Sequence, residues 1–61
     1  MSIYRISIDL DNAAFEAQEG AEVARILREL AADCEEGGVA ENLTLHDING
    51  NTVGQANRSK R

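Results

Sequence analysis

Sixty-one residues with one cysteine, one histidine and two aromatics make one small domain that can form neither an internal disulfide nor a structural zinc site. Eleven acids face six bases for a net charge of −5, and because Arg58, Lys60 and Arg61 all lie in the last four residues, residues 1–57 carry a net of −8. A surface this negative repels phosphate backbones, and Tyr4 and Phe15 are too few for a stacking platform, so direct nucleic-acid binding is not expected.

The first ten residues contain Arg5 and Asp9 and no apolar run exceeds three residues, which speaks against a signal peptide or a membrane span. The chain reads as intracellular and cytoplasmic. A domain of ~60 residues buries only about 60% of its unfolded surface. With no staple present, self-association is the expected source of further stability, and a homodimer is the simplest form.

Residues 3–10 alternate, with Tyr4, Ile6, Ile8 and Leu10 on one side and Arg5, Ser7 and Asp9 on the other. A period of two built from β-branched and aromatic residues predicts a strand with one buried face. Asp11 follows as an N-cap candidate, and Leu10 and Phe15 are spaced as a hydrophobic staple around a short helical turn. Gly20 should interrupt that turn. From Ala21 the pattern becomes helical, with Val23, Ile26, Leu27, Leu30 and Cys34 on one stripe. Arg25 can pair with Glu22 and Glu29 on the exposed face. Gly37-Gly38 should end the helix.

The last third predicts a hairpin, Asn42–Asp47 and Asn51–Ala56, with its turn at Asn49-Gly50. Two registers compete. A two-residue turn pairs Leu45 with Gly54 and points Val53 away from the core. A type I turn over Asp47-Ile48-Asn49-Gly50, with Gly50 in a bulge, pairs Leu45 with Val53 and keeps Leu43, Leu45 and Val53 together. The second is preferred, and in both Ile48 stays off the core face. The resulting fold class is α+β, in the order β-α-β-β, with one helix on one face of a three-stranded sheet. Either of the last two strands can take the middle position. The third strand there gives the all-antiparallel sheet that small domains prefer. Residues 1–57 form the domain, and residues 58–61 read as a flexible basic tail. The helix stripe should pack on Tyr4, Ile6, Ile8, Leu10, Leu43, Leu45 and Val53, with Leu27 in the core.

No constellation points to catalysis, a cofactor or a metal. Asp47-Ile48-Asn49-Gly50-Asn51 places oxygen ligands at alternate positions, as calcium loops do, but its glycine comes at the fourth position where an EF-hand needs it at the sixth. A turn explains these residues better. Cys34 and His46 are the types of a nucleophile and a base, yet Cys34 lies on the apolar stripe and His46 on the solvated sheet face. Two surfaces suit a protein partner. Ile48, rimmed by His46, Asn49 and Asn51, is an apolar anchor in a polar turn. Asp33, Glu35, Glu36 and Glu41 gather near the helix C-terminus, where the dipole disfavours them, and would offer an acidic face to a basic partner.

Three stretches, Asp11-Asn12-Ala13-Ala14-Phe15, Glu22 to Ala31 (EVARILRELA) and Leu45 to Gly54 (LHDINGNTVG), stand in an order that resembles a group of small acidic proteins encoded by bacteriophages and prophages. The resemblance runs over roughly residues 3–54. It implies a phage accessory protein in the cytoplasm of a bacterial host, one that binds and modulates or blocks a host protein. An acidic nucleic-acid mimic, or a structural component of a phage assembly, is the alternative.

Overall fold

The computed structural model describes residues 2–11 and 13–60. Strand β1 (Ser2–Ile8) is followed by a single 3-10 turn (Ala13–Phe15), helix α1 (Glu19–Gly37), strand β2 (Asn42–His46) and strand β3 (Thr52–Lys60). The strands form an open sheet in the order β1-β3-β2, antiparallel throughout. The last strand therefore lies in the middle, and the fold is α+β with a β-α-β-β order of elements.

Register assigns the faces. Ile6, Ala56 and Leu43 line up across the sheet, and beside them Ile8, Gly54 and Leu45. On the other face Ser7, Gln55 and Thr44 align, and Arg5, Asn57 and Asn42. The apolar face carries the core, in which Phe15, Ile26, Leu45 and Val53 are buried together with Ile8 and Val23 packed against them. Ala56 on the central strand is fully enclosed.

Four expectations need correction. The helix begins at Glu19, two residues before the expected start, and Gly20 sits inside its first turn rather than breaking it. Glycine is tolerated there because helix ends carry few intrahelical bonds to lose. The helix is also rotated. Its buried line is Glu22, Ile26 and Leu30, while Leu27 remains 42% exposed and Cys34 is half-buried. Along the first segment the contrast is similar: Ile6 on β1 and Leu10 in the turn beyond it are 46% and 43% exposed, and Ile8 packs against the core cluster that contains Phe15. Finally, Arg58, Ser59 and Lys60 are not a loose tail. They continue β3 and pair with Tyr4, Ile3 and Ser2. Arg61 lies outside the described residues.

The hairpin combines both competing registers. The Gly50 N–H donates to the Asp47 carbonyl at 3.0 Å, and Gly50 has φ +85°, so the loop is the type I turn with a glycine bulge. His46 pairs with Thr52 in keeping with that turn, but Leu45 pairs with Gly54. Val53 is the residue left over. This second bulge lets Val53 and Leu45 both point inward, which a regular ladder in either frame would not combine with the Gly54 pairing.

Gly54 is required by contact, not by backbone angle. A Cβ there would lie 1.9 Å from the Ser7 carbonyl oxygen. The central strand thus approaches β1 more closely than any side chain permits.

Two predictions follow from this packing. Ile26→Ala should cost ~2–5 kcal/mol and Leu27→Ala about 1 kcal/mol. Thermal melts giving the reverse order would mean that the helix packs through its other flank. Gly54→Ala should cost on the order of 3 kcal/mol, visible as a fall in Tm of more than about 10 °C, whereas an unchanged Tm would show that β1 and β3 stand further apart.

Candidate functional site

The surface with the most structure behind it is the hairpin tip. Asp47 is buried, and its carboxylate organises the turn from within. Its Oδ1 accepts the N–H groups of Asn49 (2.9 Å) and Asn51 (2.8 Å), and its Oδ2 accepts the Asn51 side-chain amide at 3.2 Å. Burial opposes charge on Asp47, but the Asn51 backbone and side-chain donors and the Asn49 N–H outweigh it, and the carboxyl is held below its ordinary range. Both oxygens are thereby occupied by the turn itself. The calcium-like spacing of Asp47, Asn49 and Asn51 is the spacing of an Asx turn.

The tip is fastened to the helix by a carboxylate that the sequence places on the solvent side. Glu22 is only 8% exposed. Its Oε2 accepts the Ile48 N–H at 2.9 Å, 26 residues away in the chain. Arg25 holds Glu22 with two nitrogens, Nε to Oε1 at 2.9 Å and Nη2 to Oε2 at 3.1 Å. The same Nη2 donates to the His46 carbonyl at 3.0 Å, and Nη1 binds the Glu29 carboxylate. One guanidinium therefore spans two helix acids and the hairpin backbone, using the fork geometry that lysine lacks. Its hydrogen bond lowers the Glu22 pKa most, burial pushes the other way, and the Ile48 N–H adds to the lowering. The Arg25 pKa is raised in return, chiefly by Glu22.

The Ile48 backbone is thus tied down on a partly buried ion pair while Ile48 is 71% exposed, the most exposed large apolar residue described. Beside it an open groove of about 400 Å³ is lined by Ala17, Gln18, Ala21, Glu22 and Arg25. His46, Asn49 and Asn51 are all exposed around the same tip. The residues expected to form an apolar anchor with a polar rim are brought together. Asn51 also serves the turn, so its amide is partly committed.

The acidic cluster is not one face. Asp33, Glu35, Glu36 and Glu41 are all exposed. At roughly 100° per residue, Glu35 lies about 200° around the helix from Asp33. Asp33 stands with Glu29 along the β2 side, beside Leu43 and Thr44. Glu41 precedes β2, and its carbonyl accepts the Arg58 N–H. Among the described residues no helix is long and apolar enough to cross a membrane.

The clasp has a pH signature. The folded-state pKa values of Glu22 and Asp47 are depressed, so the unfolded chain binds their protons more readily and acid favours unfolding. Their contribution is fully present above the ordinary Glu value of 4.5 and is lost as pH falls through the depressed values. Thermal melts should be flat down to about pH 5 and fall steeply toward pH 3. Glu22→Gln should lower Tm at pH 7 and flatten part of that fall, with Asp47 supplying the remainder. An acid limb identical to the wild type would show that Glu22 is not held in its charged form. No protein-family model, curated protein or solved structure matches the chain.

Proposed function

We propose that this chain is a binding protein of the bacteriophage accessory kind, acting in the cytoplasm of a bacterial host by occupying a host protein through its hairpin tip. The observation that carries this reading is Ile48: a β-branched apolar side chain, 71% exposed, on a backbone fixed by Glu22 and Asp47. Rigid display of an apolar anchor reduces the ordering cost of association, and a polar rim excludes water around it. The phage assignment rests on the resemblance of the three sequence stretches.

The nucleic-acid-mimic reading draws on the charge of −5, but a mimic needs its acids in one array. Here Glu29, Asp33 and Glu36 follow one another at i, i+4 and i+7 along one side of α1, but Glu35 and Glu41 stand off that line, so the array is short. Binding through Ile48 needs no such array.

The test compares wild type with Ile48→Asp in affinity capture from a bacterial lysate, with melts run in parallel. The substitution should move Tm by less than about 3 °C, since the side chain is exposed, and should abolish the specific capture. Capture that survives high salt marks apolar docking; capture lost steeply with salt marks charge mimicry. Retention of the same partner by Ile48→Asp would remove the tip from the contact.

A further inference from the structure

The second surface is the open edge of β1. In the order β1-β3-β2, β1 pairs only with β3 among the described residues. The Asp9 N–H donates to the Val53 carbonyl at 2.7 Å, which fixes the alternation: odd residues of β1 bond inward to β3, and the backbone groups of Ser2, Tyr4, Ile6 and Ile8 point outward. Four donors and four acceptors thus line an edge with no proline and no lysine to blunt it, features by which exposed edges are normally protected. Above it Ile6 and Leu27, each more than 40% exposed, leave the apolar face open on this side.

We infer that β1 pairs antiparallel with β1 of a second copy about a two-fold axis at Ser7, joining the two sheets into one of six strands, because the edge carries Arg5-Ile6-Ser7-Ile8-Asp9, a segment whose charges are opposite and equidistant from its centre. In that register Arg5 stands opposite Asp9 of the partner, and Asp9 opposite its Arg5. Both are exposed, and as odd residues they form non-hydrogen-bonded pairs, in which side chains approach most closely. On the apolar face Ile6 meets Ile8 as a hydrogen-bonded pair, so exposed Ile6 gains cover. An axis at Arg5 would oppose two arginines, and an axis at Ile6 would set Arg5 against Ser7 and leave Asp9 against Ile3. An axis at Ile8 would carry Arg5 to Asp11, in the turn beyond the end of β1, and set Asp9 against Ser7. Charge within the edge segment therefore selects Ser7. The other edge is a poorer candidate, since β2 has five residues and is flanked by Glu29 and Asp33, which a second copy would meet with its own acids.

Sedimentation from micromolar to millimolar concentration should show a dimer. Arg5→Asp and Asp9→Arg should each raise its dissociation constant roughly tenfold or more, and the double reversal should restore it. Ser7→Cys in a Cys34→Ser background should oxidise to a linked dimer, because a non-hydrogen-bonded pair brings the two Cα atoms to about 4.5 Å. Arg5→Cys in the same background should not. Circular dichroism confirms that each variant is folded, and if a single reversal unfolds the chain the two cysteine variants decide alone. A strict monomer at millimolar concentration, reversals without effect, or Arg5→Cys linking as readily as Ser7→Cys would each overturn the dimer or its register. Ile48 takes no part, so loss of host-protein capture and loss of dimer are separate outcomes.

Discussion

A charged carboxylate under the hairpin is the constraint on which the arrangement of this small domain depends. Burying an unpaired carboxylate is costly enough that a protein ordinarily protonates it or avoids it. Glu22 escapes both outcomes because Arg25 neutralises it with two nitrogens and the Ile48 N–H satisfies it further. The same contacts tie α1 to the β2–β3 turn. The helix then has to present Glu22, Ile26 and Leu30 to the sheet, and Leu27 is turned toward the open side. Helix rotation, hairpin position and the exposure of Ile48 are one arrangement seen in three places.

The elements were legible in the sequence because each announces itself locally. Alternation marks β1, the spacing of Val23, Ile26, Leu27 and Leu30 marks α1, and Asp47 with Gly50 marks the turn. What periodicity does not carry is the centre of a wide stripe. Five apolar positions span more of the helix than one sheet can cover, and a carboxylate at its margin reads as solvent-facing until its partners are known. The Glu22–Arg25 spacing was visible, but a pair at i, i+3 is usually a surface pair of little weight. Its weight here comes from Ile48 and His46, both more than twenty residues away.

The end of β3 illustrates the complementary blind spot. Arg58-Ser59-Lys60 has no apolar and no β-branched residue, so it reads as a solvated end. It is a strand because β1 offers it a ladder, and backbone hydrogen bonds are indifferent to side chains. The hairpin register fails for a related reason. The chain uses one frame on each side of Val53. A bulge leaves no residue-type signature when the extra residue is valine rather than glycine.

The order β1-β3-β2 also has a bearing on how the fold is reached. The two strands that come first in the chain never touch each other, and both wait for the one that comes last. Until residues 52–60 are available, β1 has no partner and β2 has none either. The helix can form earlier, but its Glu22 has no Ile48 N–H to satisfy it until the turn closes. Every sheet contact except the hairpin is therefore long-range, and loop closure precedes its reward. A ribosome-bound chain stalled before Thr52 would hold a helix and two unpaired strands, so this domain has no native-like half from which to assemble vectorially. The central strand is the keystone of the sheet, since both other strands pair with it.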